Sequence, residues 1–151
     1  MATAQNVAKY FLMLAASGAE DAGESITHLK LQKLLYYAQG FHLALNGGAP
    51  LFDATIQAWE HGPVVRQVWN QYGDHGAKVI PADPEFDPST CLTEDERGHL
   101  DDVWNAYGQF SAWKLRNMTH NEPPWCIAFA RGKNSEITRE TMKDYFLTLV
   151  Q

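Results

Sequence analysis

The chain has little cysteine, with Cys91 and Cys126 as the two examples in 151 residues. Two cysteines cannot build the network of disulfides that stabilises many small secreted domains. This scarcity excludes a disulfide scaffold and predicts a protein of the reducing cytoplasm.

Long apolar runs are also missing. The apolar stretch Tyr10–Ala16 is too short to cross a membrane, and only Lys9 adds charge just before it. Val7, Phe11 and Leu14 recur at helical spacing, with polar residues beside them. We therefore expect an amphipathic first helix in place of a signal peptide, and no membrane partner.

Basic residues are scarce, since 12 Lys and Arg face 18 Asp and Glu, a net charge of −6. The window Asp83–Asp102 holds eight of the acids and one base, Arg97. Phosphate binding needs a basic face, so this balance weighs against DNA or RNA as the main partner. The window is interpreted first as a solvated loop and helix start, and alternatively as a docking surface for a basic partner. In the second case Asp83, Glu85 and Asp87 are candidate contacts.

Aromatic residues, by contrast, are abundant: five Trp, six Tyr and seven Phe indicate a well-packed core. The length suits one domain over residues 1–151. Apolar periodicity and capping residues predict a mainly α (α+β) fold, a compact bundle of about six helices with one small β-hairpin. The predicted helices are the first one, four that are capped by Thr27, Thr93, Ser111 and Thr138, and one that starts at Pro63. A polar link is expected over Gly18–Glu24, and the hairpin is expected to pair Ala54–Trp59 with Val79-Ile80.

The segment Trp59–Val65 contains the sequence Trp-Glu-His-Gly-Pro-Val-Val. Alternating apolar residues precede it, and Pro63 suits the first turn of a helix, where a missing N–H has no cost. We therefore expect a sharp strand-to-helix turn that presents Glu60 and His61, and both are candidate contacts for a partner. A second break is expected at Pro123-Pro124, followed by a short apolar turn over Trp125–Ala130.

Candidate chemical sites are few. His120, Glu122 and Cys126 superficially match part of a zinc-deaminase signature, but a second downstream cysteine is lacking, so no metal or cofactor is predicted. A small hydrolase using His61, His120 and Glu122, together with Glu60, is kept as an alternative. The favoured interpretation is that the two histidines are partly buried and anchor turns through backbone hydrogen bonds. Recognition of another protein remains, with Trp69, Tyr72, Trp113 and Trp125 as candidate anchors or core residues.

Three blocks of sequence together resemble the Panacea domain, the family of SocA-like antitoxins and GepA-type phage-associated proteins. They are Leu29–Gly40, Ala58–Val65, and a third that runs from Tyr107-Gly108 through Ser111 and His120 to Trp125, with Tyr145-Phe146 near the end. The blocks occur in family order over nearly the whole chain. The positions typical of the family are Leu31, Gln32, Lys33, Leu34, Tyr36, Trp59, His61, Gly62, Pro63, Val64, Ser111, Leu115, His120, Pro124 and Trp125.

The resemblance implies a cytoplasmic antitoxin of a bacterial or phage toxin–antitoxin module, which neutralises a toxin encoded nearby by direct binding. It implies no enzymatic activity and no cofactor. Some family members instead act as adaptors that deliver a bound toxin to a cytoplasmic AAA+ protease, which is the alternative function. Others carry a DNA-binding segment, and we expect no spare helix-turn-helix in this chain.

Overall fold

A computed structural model describes residues 1–17, 26–73 and 78–150, and the predicted link over Gly18–Glu24 lies outside them. The described residues form eight helices and three short strands, which confirms the mainly helical class. In chain order the elements are α1 (Ala4–Ser17), α2 (His28–Leu45), β1 (Ile56–Trp59), β2 (Gly62–Val65), α3 (Arg66–Tyr72), α4 (Pro88–Cys91), α5 (Glu94–Tyr107), α6 (Ala112–Thr119), α7 (Pro123–Arg131), β3 (Ser135–Ile137) and α8 (Arg139–Val150).

Helix α2 is the centre of the core, and every residue from Lys30 to Gly40 is buried. Thr27 caps it as predicted, because its hydroxyl accepts a hydrogen bond from the Lys30 backbone N–H. Leu45 continues the apolar spacing of α2, but it is 59% exposed. The reason is its place in the last turn of α2, on the rim of an open groove between α2 and α5.

Helix α8 crosses α2 at Gly40. A Cβ atom at this position would overlap the ring of Phe146, so glycine is what allows the close approach. The Phe146 ring lies 5.4 Å from the ring of Tyr36 and 4.8 Å from that of Phe41, both on α2. An aromatic cluster on one side of α2 therefore fixes the C-terminal helix to the core.

The three strands form one antiparallel sheet in the order β2-β1-β3. Trp59 pairs with Gly62 and Ile56 with Val65, so Glu60 and His61 form a tight hairpin turn. The prediction that Pro63 starts a helix is wrong: it lies in β2, and α3 begins at Arg66. Proline is tolerated here because β2 is an edge strand, where one side of the backbone needs no ladder partner.

The predicted pairing of Val79-Ile80 with β1 is also wrong. Val79 forms an isolated bridge with Thr27, and the Ile80 N–H donates to the Ile26 carbonyl at 2.9 Å. The partners of β1 are β2 and β3, the latter from near the C-terminal end of the chain.

Pro123 and Pro124 begin a helix and do not interrupt one. They occupy the first positions of α7, where the N–H groups have no intrahelical acceptor, and the helix continues to Arg131. The expected apolar turn over Trp125–Ala130 is therefore wrong. Helix α7 and the single turn α4 account for the two described helices beyond the predicted six.

Candidate functional site

Most of the residues that the sequence resemblance predicts to be typical of a family lie around the β1–β2 hairpin. On α2, Leu31, Gln32, Lys33, Leu34 and Tyr36 are all buried. Gly62, Pro63 and Val64 are buried in β2, whereas Glu60 and His61 are exposed at the turn. On the opposite side Leu115, Pro124 and Trp125 are buried, and Ser111 caps α6 by accepting a hydrogen bond from the Lys114 N–H. We call the contact of the hairpin with α2 and with Thr119–Trp125 the hairpin anchor.

Two side chains at the α6–α7 junction bind the hairpin backbone. The indole Nε1–H of Trp125 donates to the Trp59 carbonyl at 2.8 Å, and His120 Nε2 lies 2.7 Å from the Glu60 carbonyl. The other ring nitrogen of His120 lies 2.7 Å from the Arg116 carbonyl. The rings of His120 and Trp125 are themselves 4.0 Å apart. The expectation that a histidine anchors a turn is confirmed for His120.

Gly62 lies where the hairpin approaches both neighbours. Its φ of +124° is in the region that favours glycine. A Cβ atom there would lie 3.1 Å from Lys33 Cε and 3.2 Å from Thr119 Oγ1. Nearby, Gln32 Oε1 accepts a hydrogen bond of 2.7 Å from the Val65 N–H, which satisfies the outer edge of β2. The glycine and the glutamine thus hold the hairpin between α2 and α6.

Lys33 is a cation buried under this hairpin, with 1% of its surface exposed. Its ammonium donates to the Leu29 carbonyl at 3.2 Å. Burial lowers the pKa of Lys33 to about 8, and the nearby Arg116 guanidinium lowers it further. The hairpin anchor therefore encloses an amine that loses its proton more readily than an exposed lysine.

Glu122 is held in a cage of tyrosines. Its two carboxylate oxygens accept hydrogen bonds from Tyr36 Oη at 2.9 Å and Tyr37 Oη at 2.8 Å, and the carboxylate also interacts with the Tyr145 hydroxyl. Burial raises the pKa of Glu122 despite these donors, and burial together with the carboxylate raises the pKa of Tyr145 to about 12. The cage joins α2, α8 and the residue that precedes α7.

The structure does not bring the functional groups of the acid–base alternative, which are those of Glu60, His61, His120 and Glu122, together in one site. His120 contacts backbone carbonyls through both ring nitrogens, whereas the Glu122 carboxylate faces tyrosine hydroxyls. His61 is exposed at the hairpin turn, so the expectation that it is partly buried is wrong. Of the four, the recorded contacts join only His120 and Glu60, through the Glu60 backbone.

The acidic window forms a loop followed by a capped helix. Asp83 accepts a hydrogen bond from the Glu85 N–H and pairs with Lys9 at 3.3 Å, and Asp87 caps α4. Thr93 caps α5 as predicted, and together with Glu96 it forms a capping box. Asp83 and Asp87 thus have local structural roles, while Glu85 is exposed and without such a role among the recorded contacts.

Sequence reasoning missed Tyr37 and Tyr145 as partners of Glu122, and Thr119 as a neighbour of Gly62. The adjacent tyrosines on an otherwise apolar helix were the one available signal, because buried tyrosine hydroxyls need hydrogen-bond partners. Of the candidate anchors, Trp125 is buried, Trp69 and Tyr72 are half-buried, and Trp113 is 67% exposed.

Two further findings concern residues 1–17, 26–73 and 78–150. None of their helices combines the length and apolar character that crossing a bilayer requires. In the same ranges, no three His, Cys, Asp or Glu side chains are grouped so that they could hold a metal ion.

These features define a mainly helical domain in which a β-hairpin is fixed between the central helix and a helix that begins with two prolines. The family model described as "Antitoxin SocA-like, Panacea domain" matches residues 31–126, well over half of the chain, and the chain belongs to this family. The match begins in α2 and ends in α7, so it contains the whole hairpin anchor.

A curated relative is the antitoxin SocA of Caulobacter vibrioides (strain NA1000 / CB15N). It is 42% identical over 55 residues, which is 36% of this chain and 29% of the relative. The matched segment thus spans less than a third of that relative's length. No solved structure matches the chain.

Proposed function

We propose that this chain is a cytoplasmic antitoxin that neutralises a toxin encoded nearby, and that it acts by direct protein–protein contact without enzymatic activity. The family match over residues 31–126 is the observation that carries the proposal, and the relative named antitoxin SocA supports it. The toxin, the contact surface and the mechanism are parts of the proposal.

The contacts of the polar residues fit a binding role. His120 and Trp125 bind carbonyls of the hairpin, and the Glu122 carboxylate is enclosed by tyrosine hydroxyls. Such side chains stabilise the domain and are occupied within it, which leaves the exposed surface to recognise a partner. The hydrolase alternative requires His120 and Glu122 to leave these partners.

Co-expression with the adjacent open reading frames tests the proposal. We expect one neighbouring product to arrest growth when expressed alone, and this chain to restore growth and to co-purify with that product. Failure of the chain to rescue growth or to form a complex with any adjacent product would contradict the antitoxin role.

The same strain separates direct inhibition from delivery to a protease. Under direct inhibition, the half-life of the toxin after synthesis is blocked stays the same or lengthens when this chain is present, because binding stabilises a folded partner. A shortened half-life that returns to normal in a strain lacking the cytoplasmic AAA+ protease would assign the adaptor role in its place.

A further inference from the structure

The outer side of the hairpin anchor has a shallow depression of about 440 Å³. The residues that line it are Glu60, Arg116, His120, Trp125, Phe129 and Lys133. The depression spans the hairpin turn, the end of α6, one side of α7 and the turn before β3. Four of the six lining residues lie inside the segment that the family model matches, and Phe129 and Lys133 follow it.

The charge of this depression is opposite to that of the whole chain. Arg116 and Lys133 line it as cations and Glu60 is the one acid among its lining residues, whereas the chain carries −6. Arg116 also acts on buried Lys33, whose pKa it helps to lower. A local cationic surface on an acidic protein favours contact with a carboxylate of a partner.

The same surface offers aromatic contact area. Trp125 and Phe129 stack with their rings 4.6 Å apart, and Phe129 is half-buried. Beside them the Arg116 guanidinium lies 5.1 Å from the ring centre of Trp113, which is 67% exposed. Tryptophan and arginine are the residues that most often supply binding energy at protein interfaces.

We call the surface formed by Arg116, Lys133, Trp113 and Phe129 the aromatic–basic surface. We propose that it binds an acidic segment of the partner toxin. In that complex Asp or Glu side chains of the toxin pair with Arg116 and Lys133, and an apolar side chain next to them packs on Trp113 and Phe129. The inference rests on the proposed function, because it identifies the surface through which the toxin is bound.

Two observations favour a protein over a nucleic acid at this surface. Arg116 and Lys133 are two cations beside Glu60, enough to pair with one or two carboxylates of a protein. A nucleic acid carries a phosphate at every nucleotide and needs an extended basic face, which a chain of net charge −6 with two cations at this surface does not provide there. The acidic loop is the competing docking surface, but the carboxylates of Asp83 and Asp87 already accept hydrogen bonds from backbone N–H groups of the same segment. The aromatic–basic surface has in Trp113, which is 67% exposed, a large aromatic side chain next to a cation.

Paired charge reversals test the inference, with the neighbouring product that the wild-type chain neutralises as the probe. Arg116→Glu combined with Lys133→Glu changes the aromatic–basic surface, and Glu85→Lys combined with Asp95→Lys is the matched control on the acidic window. All four side chains are at least partly exposed, and thermal unfolding verifies that each variant folds. Affinity is measured by calorimetric titration at two salt concentrations.

We expect the first variant to lose about 100-fold or more in affinity. Its remaining affinity should rise with salt, the reverse of wild type, because both partners of the charge contact are then acidic and salt screens their repulsion. The control stays within about threefold of wild type, and Trp113→Ala loses about tenfold. If the first variant unfolds, Arg116→Ala with Lys133→Ala takes its place, with an expected loss of about tenfold.

Compensation gives a second readout. A toxin in which one Asp or Glu is changed to Lys, and which remains lethal, should be neutralised by the Arg116→Glu, Lys133→Glu variant better than by wild type.

Three results would overturn the inference. If the Arg116→Glu, Lys133→Glu variant binds the unchanged toxin with wild-type affinity while the control variant loses affinity, this inference is overturned and the antitoxin proposal stands. Displacement of the toxin by a single-stranded oligonucleotide that depends on Arg116 and Lys133 also overturns it. Absence of any complex with wild type overturns both.

Discussion

At the scale of single residues, buried polar groups connect the elements of this fold. Glu122 contacts tyrosines from both α2 and α8. The side-chain amide of Gln39, on α2, donates a hydrogen bond to the Phe52 carbonyl and accepts one from the Leu51 N–H. A buried carboxylate is tolerated only when its oxygens are hydrogen-bonded. Specificity of packing around α2 therefore depends on a few polar contacts within an aromatic core.

Replacing Glu122 should show how much the tyrosine cage contributes to the free energy of unfolding. Glu122→Ala leaves the buried hydroxyls of Tyr36 and Tyr37 without their acceptor, so we expect a loss of about 3 kcal/mol in the free energy of unfolding, and about 1 kcal/mol for Glu122→Gln. Urea unfolding measures both. The control Glu140→Ala, at an exposed position of α8, should change stability by less than about 0.5 kcal/mol. Equal effects of Glu122→Ala and the control would contradict the cage.

Buried Lys33 predicts a rise of stability with pH. Its pKa is about 8 in the folded chain and about 10.5 when exposed, so between these values the unfolded chain binds more protons than the folded chain. The free energy of unfolding should therefore increase by about 1 kcal/mol from pH 7 to pH 9, where the tyrosines of the unfolded chain, with a pKa near 10, are still mostly protonated.

Urea unfolding of wild type and Lys33→Met over that pH range checks this prediction. The methionine variant should lack the rise, and Lys133→Met, at an exposed position, should retain it. A rise that persists unchanged in Lys33→Met would assign the pH dependence to another group.

At the scale of elements, the hairpin has its conformation because its neighbours enclose it. Its short strands pair with each other and with β3, and its turn is bound by His120 and Trp125. A two-stranded hairpin of this length is marginal alone, so most of its stability comes from the hairpin anchor. The exposed turn residues Glu60 and His61 are consequently held in a fixed place beside the aromatic–basic surface.

Alanine substitutions at Gly62 and Gly98 test whether the neighbouring elements enclose the hairpin, because we expect them to change the free energy of unfolding in opposite directions. Gly62→Ala should cost about 2 kcal/mol or more, because φ is +124° and the new Cβ would crowd Lys33 and Thr119. Gly98→Ala, in the interior of α5 with open space around it, should add about 0.5–1 kcal/mol of stability. Thermal unfolding of the two variants measures both changes, and a neutral Gly62→Ala would contradict the tight approach.

The element scale also shows how far the sequence predicts the structure. Caps formed by Thr27, Thr93 and Ser111 are local, so the start of each of these helices follows from a few adjacent residues. Pro63 is compatible with a helix start and with an edge strand, and the choice depends on pairing with β1. The partners β3 and Tyr145 come from the end of the chain, and no local pattern places them beside Ile56 or Glu122.

At the scale of the whole molecule, the core extends beyond the segment that the family model matches. Helix α1 packs on α2 and buries Phe11, and α8 packs on α2 through Phe146. The hairpin anchor lies inside the matched segment, whereas α1, β3 and α8 lie outside it. We therefore expect the folding of the aromatic–basic surface to depend on α1, β3 and α8, which take no part in binding the toxin.

A fragment of residues 31–126 tests this dependence. It lacks Phe11, Phe146 and Tyr145, so α2 would expose its apolar faces and Glu122 would lose one of its tyrosine contacts. We expect the fragment to show no cooperative unfolding transition by calorimetry, in contrast to the full chain, because it buries too little apolar surface. A cooperative transition in the fragment would contradict the prediction of one domain over residues 1–151.

The central claim is that this chain neutralises a partner by binding it. The direct measurement is inhibition of the purified neighbouring toxin, in an assay of the toxin's own activity, as the molar ratio of this chain to toxin is varied. The account predicts that inhibition saturates at a fixed stoichiometric ratio and reverses when the complex is separated. Inactivation of many toxin molecules by one copy of the chain, or inhibition that persists after the chain is removed, would contradict it and indicate an enzyme.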